Sequence, residues 1–210
     1  MKGHRWFAAF YDRLCKMEER SPVVRRIRED IVGGSSGRVL ELGAGTGASF
    51  PYYGASVTRV DAIEPDPYML KRARKAVRDA PRPIEIHQSP AEELPFDDAT
   101  FDTAVCALVL CSVSHPAQAL SEIKRVLKPG GELRLYEHVR YSNRFGAFWQ
   151  DMITPAWRWI GAGCNPNRDT AASVRHAGFE FDRLTVKATV PPVPPMIFVR
   201  PHLIGVAKST

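Results

Sequence analysis

The feature that most constrains this chain is an apolar run ending in alternating glycines, Val39-Leu40-Glu41-Leu42-Gly43-Ala44-Gly45-Thr46-Gly47. Val39, Leu40 and Leu42 give the run the character of a buried strand. Glycines just past such a strand let the backbone pass under a ligand where a side chain would collide with it. In an open α/β sheet, ligands bind at that place, outside the carboxyl ends of the strands. The loop therefore predicts a parallel sheet with a ligand at its rim.

The rest of the sequence extends this pattern. Strands are expected at residues 38–42, 60–64, 84–88, 103–110 and 132–137, with helices at 67–79 and 117–127 between them. Lys128-Pro129-Gly130-Gly131 is a stop signal for the second helix, a basic residue followed by proline and glycine. Alternation of this kind predicts right-handed crossovers and a doubly wound parallel sheet. The last third differs. Helices over 145–160 and 169–177 precede two strands, 179–189 and 202–208, joined through Val190-Pro191-Pro192-Val193-Pro194-Pro195 as an antiparallel pair. Ahead of the sheet, residues 6–19 have helical periodicity, with Phe7, Phe10, Tyr11, Leu14 and Met17 on one side. The expected organisation is an N-terminal helical lid, residues 1–34, over one main domain, residues 35–210.

Length and composition limit the alternatives. A chain of 210 residues buries one good core. It has no run of about 18 apolar residues, so no membrane-spanning segment is expected. The start, Lys2 to Phe10, begins like a signal peptide but is broken at Asp12 and Arg13. The expected location is cytoplasmic, with peripheral membrane contact left open. Cys15, Cys106, Cys111 and Cys164 have neither zinc-motif nor redox-motif spacing and read as free thiols, so no metal is expected. The net charge is +6, densest at Lys71, Arg72, Arg74, Lys75 and Arg78. No aromatic residues interleave with these charges, so the patch reads as a solvated helix face and no nucleic-acid partner is expected.

The ligand can be narrowed further. Glu64, followed by Pro65, stands at the end of the next strand, where a carboxylate can accept both hydroxyls of a ribose. Gly43, Gly45 and Ala48 with Glu64 also satisfy a dinucleotide fingerprint, which keeps NAD as a rival. Against it stand the third alternating glycine, Gly47, and Glu41 two residues before Gly43. A pyrophosphate favours a helix N-terminus free of negative charge. An acid beside the loop better suits the cationic amino group of a methionine moiety.

These residues resemble motif I of the class I S-adenosylmethionine-dependent methyltransferases. Ala91-Glu92-Glu93-Leu94-Pro95-Phe96 with Phe101-Asp102 resembles their adenine loop and fourth strand, and residues 125–131 resemble their approach to strand five. The resemblance implies a Rossmann-like, mostly parallel seven-stranded sheet with an antiparallel C-terminal strand. It also implies S-adenosyl-L-methionine as cofactor, with Glu41, Gly43, Gly45 and Gly47 around its methionine end and Glu64 at the ribose. Ala91 and Glu92 would lie along the adenine, with Tyr11, Pro65 and Leu108 completing the site. Pro90 stands where the family often has an acid for the adenine amino group.

Candidate acceptor residues lie in the second half of the chain. His138 is at the end of strand five, where an imidazole suits a general base; a structural histidine bonded to main chain is the alternative reading. Cys111, Trp149 and Trp157 are expected to line the pocket, although the tryptophans have spacing equally suited to core packing. Residues 105–113, Tyr136-Glu137-His138-Val139, Pro155-Ala156-Trp157, 160–164 and 201–205 are similar to the vertebrate alkyl thiol methyltransferases. That similarity implies a small lipophilic thiol as acceptor, a nucleophile that needs little activation because its free pKa is near ~8.5. An amine or phenol, on a lipid headgroup or a natural product, is the alternative. The group's hydrophobic N-terminal anchor has no match in the short, charged start seen here.

Overall fold

The computed structural model describes residues 8, 13, 21–190 and 196–209. Within these, one sheet of seven strands runs in the order β3-β2-β1-β4-β5-β7-β6. The strands are β1 (Gly37–Leu42), β2 (Val57–Ile63), β3 (Ile84–His87), β4 (Phe101–Ala107), β5 (Leu127–His138), β6 (Phe179–Ala188) and β7 (Pro201–Ser209). The helices are α1 (Pro22–Ile31), α2 (Pro67–Ala76), α3 (Pro116–Val126), α4 (Arg144–Ile160) and α5 (Thr170–His176). Strands β1 to β5 pair in parallel, whereas β7 is antiparallel to both β5 and β6. The order turns back at β1, between β2 and β4, and so makes a crevice at the carboxyl ends of β1 and β4.

Side-chain alternation divides the core between the two faces of the sheet. Leu40, Leu42, Ala104, Cys106, Leu133 and Leu135 pack on one face with Leu120, Ile123 and Val126 of α3. Val39, Val60, Val105, Tyr136 and Ile204 pack on the other with Ile27 and Ile31 of α1. Helix α2 begins where the sequence supplies both starting signals. Asp66 accepts the N–H groups of Tyr68 and Met69, and Pro67 occupies the first turn, where its missing N–H costs nothing.

Several boundaries differ from expectation, and three of them have a visible local cause. Strand β4 stops at Ala107, three residues early, because Leu108 takes a left-handed φ of 63° and the chain turns. Strand β5 starts at Leu127, five residues early, directly from α3 through a bulge against β4, with Gly130 at φ 74°. Helix α2 ends at Ala76 and tightens into a 3-10 turn at Val77–Asp79. Of the expected lid, residue 8 is helical and buried and residue 13 is helical and exposed; Tyr11 lies outside the described residues, as does the proline run over 191–195. No helix among the described residues is long and apolar enough to cross a membrane.

Candidate active site

The crevice has two halves. In the first, Gly43, Gly45 and Gly47 all have left-handed φ, 61°, 57° and 86°, which accounts for glycine at each place. A Cβ at Gly43 would sit 2.7 Å from the Val109 side chain, so the β1 loop and the segment after β4 approach as closely as bare backbone allows. The Ala44 N–H donates to the Ile63 carbonyl at 2.9 Å and fastens the loop to the end of β2. The Glu64 carboxylate, at the same strand end, accepts the N–H groups of Gly45 and Asp66, each at 2.8 Å. Burial pushes its pKa up, against those two bonds. The loop and the acid are thus one bonded unit.

Glu41 is buried beneath the loop and accepts a 2.7 Å hydrogen bond from the Tyr53 hydroxyl. Burial raises its pKa to about 7, while Tyr53, Ser49 and the Arg28 charge pull it down. Arg28, from α1, is itself buried; Nη1 donates to Ser49 Oγ at 3.1 Å, and Nε has no partner among the described residues. Arg28, Ser49 and Tyr53 were not anticipated. A lone arginine on an amphipathic helix reads as surface, and only packing turns it inward.

The residues expected along the adenine stand in different surroundings. Ala91 is buried in the core, and Pro65 is exposed. Glu92 accepts the N–H groups of Ser114 and His115 at 3.0 and 3.1 Å, so its carboxylate caps the approach to α3. Leu108, at its left-handed turn, donates its N–H to the Tyr136 carbonyl at 2.7 Å. A leucine held in this conformation costs about 1–3 kcal/mol.

The second half lies at the ends of β4 and β5. Glu137 is fully buried, and its carboxylate accepts the N–H groups of Val109, Leu110 and Cys111 at 2.8, 2.9 and 3.1 Å. Burial holds its pKa well above the usual carboxylate range. Beside it, His138 Nδ1 faces two sulfurs, Cys164 Sγ at 3.5 Å and Cys111 Sγ at 3.6 Å. The Cys164 thiol and burial raise the pKa of Cys111, whereas the bond from Cys111 lowers that of Cys164. The His138 ring also packs on His202, with centroids 4.5 Å apart. Burial pushes His202 down to about 3, so this second imidazole is neutral and serves packing.

The two tryptophans part company. Trp157 is half-buried, with its indole N–H enclosed against Cys164, whose pKa it helps to lower. A Cβ added at Gly161 would lie 3.0 Å from that nitrogen and 3.4 Å from Cys164 Cβ, which places Trp157 beside the cysteine turn. Trp149 is 42% exposed and packs edge-on with Phe145 and Phe148, on an outer face that also shows Met152. The structure brings Cys111 and His138 together, adds Cys164, and leaves Trp149 outside.

Comparison with known proteins gives the same architecture and a family. A profile described as "Methyltransferase domain" matches residues 40–135. Thiol S-methyltransferase TMT1B of Homo sapiens is 36% identical over 201 residues, covering 91% of this chain and 79% of that protein. Phosphatidylethanolamine N-methyltransferase of Cereibacter sphaeroides is 40% identical over 136 residues, 64% of each chain. Among solved structures, a SAM-dependent methyltransferase from Thermotoga maritima superposes with a TM-score of 0.71 at 22% identity, covering 98% of both chains.

Proposed function

The chain belongs to the class I S-adenosylmethionine-dependent methyltransferases, and from that premise we propose that it methylates a small lipophilic thiol. The sulfonium methyl of the cofactor is the activated group; the protein's task is to hold it, align the acceptor and exclude water. In this reading Gly43, Gly45 and Gly47 line the methionine end, where Glu41 meets the ammonium group and the unpartnered Arg28 Nε meets the carboxylate. Glu64, already holding the loop, turns toward the ribose hydroxyls. Ala91, Leu108 and Pro65 flank the adenine, with Glu92 acting through the capped α3 segment. Within residues 1–34, α1 packs Ile27 and Ile31 on the sheet and sends Arg28 beneath the loop.

The observation that carries the thiol reading is the surroundings of His138. Its ring nitrogen sits at sulfur contact distance from two thiols of the chain, so the floor of the acceptor half is already a place where an imidazole handles sulfur. An acceptor thiol entering beside His138 gives up its proton there as it attacks the methyl group. Cys111 and Trp157 shape the floor and wall around it. The similarity to a thiol S-methyltransferase over most of the chain supports the same reading. An amine acceptor is the second reading, favoured by the similarity to a phosphatidylethanolamine N-methyltransferase over 136 residues.

A panel of alkyl thiols, amines and phenols incubated with cofactor and enzyme, read by mass spectrometry, decides between them. Methylated thiol as the main product is expected. Methylated amine or phenol with thiols untouched would overturn the thiol assignment and leave the methyltransferase standing.

A further inference from the structure

Three ligand-bearing side chains, far apart in the sequence, meet at one point in the acceptor half. Cys111 Sγ, His138 Nδ1 and Cys164 Sγ all lie within 4.8 Å of one another. The two sulfur–nitrogen separations, 3.6 and 3.5 Å, can be compared with coordination geometry. A tetrahedral zinc ion with metal–sulfur bonds of about 2.3 Å and metal–nitrogen bonds of about 2.0 Å holds sulfur and nitrogen roughly 3.5 Å apart. The cluster therefore has the sulfur–nitrogen edges of a tetrahedral site.

We propose that Cys111, His138 and Cys164 form a three-ligand site for a thiophilic divalent cation of the zinc class, with the fourth position open toward the acceptor.

The surroundings are built to hold such a triad. Glu137 fixes the backbone of Cys111 through its N–H, and Asn165 ties the two cysteine segments together, donating its N–H to the Cys111 carbonyl at 2.7 Å. The Asn165 amide donates to the Gly163 carbonyl at 2.6 Å and pins the Cys164 turn. The Arg168 guanidinium donates to the Leu110 and Val113 carbonyls on either side of Cys111. Two thiolates and one neutral imidazole around a divalent ion have no net charge, which suits a buried place; the two thiol protons go to solvent. Cys111 and Cys164 are buried while His138 is partly exposed, so the approach and the open position lie on the His138 side.

A second group of possible ligands, Asp61, Glu85 and His87, shows the contrast. There Asp61 is already ion-paired with Arg38 at 2.9 Å and Arg59 at 2.8 Å, and arginine fills the role a cation would take. Among the two cysteines and His138 the nearby charge is Arg168, and its guanidinium is bonded to the Leu110 and Val113 carbonyls.

With the ion bound, a thiol at the open position would be held as its thiolate and lose its proton to solvent, and His138 would serve as a ligand instead of the base. This second half rests on the thiol reading above.

The test uses cobalt(II) as probe, added under anaerobic conditions to the purified full chain with S-adenosylhomocysteine binding measured in parallel. One equivalent should give the visible absorption of a tetrahedral cobalt thiolate, and zinc(II) should bleach it. Cys164→Ala and His138→Ala should each weaken cobalt binding at least ~10-fold while S-adenosylhomocysteine still binds, which shows that the variants are folded. No thiolate band in the native chain, or cobalt affinity unchanged in both variants, overturns the site. Methylation of hexanethiol is then compared before and after chelation. Loss on chelation with recovery by zinc supports the activating role. Unchanged turnover overturns that role, and failure to methylate any thiol overturns the thiol reading while the metal site stands or falls on its spectrum.

Discussion

The two halves of the crevice are built in different ways. The cofactor half is made of backbone and carboxylates supplied by neighbouring stretches, β1 with its loop and the end of β2, and its hydrogen bonds run from loop N–H groups to Glu64. The acceptor half is made of side chains from three places, the turn after β4, the end of β5 and the turn after α4, gathered around Glu137 and His138. The first is a shape that tolerates little change and, in the proposed reading, meets a fixed ligand. The second is a local arrangement of soft groups that can be altered without disturbing the first. The comparison predicts that cofactor affinity and acceptor turnover are separable by mutation.

The largest effect expected is at Gly45. A valine there must adopt a left-handed φ, at a cost of about 1–3 kcal/mol, and its side chain enters the space of the cofactor. Calorimetry should find no S-adenosylhomocysteine binding while circular dichroism remains native. Retained binding would break the view of this half as bare backbone. Next is His138→Ala, expected to lower thiol turnover by roughly 10²–10⁴-fold with S-adenosylhomocysteine affinity within about twofold. A parallel loss of cofactor affinity would show that the halves are one unit.

Glu64→Ala should weaken cofactor binding by at least about tenfold, since hydrogen bonds to a charged group contribute ~1.5–3 kcal/mol each. The same substitution releases the Gly45 and Asp66 N–H groups, so the loop should also exchange its amide hydrogens faster. An unchanged dissociation constant would move the ribose contact elsewhere.

Glu41 sharpens the comparison through pH. Its folded pKa is raised to about 7, so below that value the free protein holds a proton there which the unfolded chain releases near its ordinary 4.5. Between those two values this group's contribution to stability falls as pH rises. A cationic ammonium favours the ionised form, so cofactor affinity should change in the opposite sense, tightening about tenfold from pH 6 to pH 8. Glu41→Gln should flatten that dependence; a native profile that is flat or falls would remove Glu41 from the methionine end.

The smallest effect distinguishes the tryptophans. Trp149→Ala, on the outer face, should change kcat/KM by less than about twofold, a surface-scale effect. Trp157→Phe, beside the Cys164 turn, should raise the acceptor KM several-fold. The reverse order would place Trp149 in the pocket.

The sequence by itself determined the architecture and the place of the glycine loop and Glu64 in it. Alternating apolar strands and amphipathic helices are local patterns, and the sheet follows from them, with boundaries displaced by a left-handed turn at Leu108 and a bulge in β5 among others. Glu41, the three glycines and Glu64 could be read in order because a strand-turn-helix unit keeps the residues around its loop close along the chain. Tertiary structure decided the rest. Arg28 points inward because α1 packs its Ile27 and Ile31 face on the sheet. Glu92 is occupied at the start of α3, and Trp149 lies outside, because neighbours in space and not sequence spacing set their partners. Cys111 and His138 were expected near one acceptor pocket but Cys164 read only as a free thiol, since no periodicity links positions carried by three different elements. Only the packing of the turn after α4 against the ends of β4 and β5 brings two sulfurs to one imidazole nitrogen.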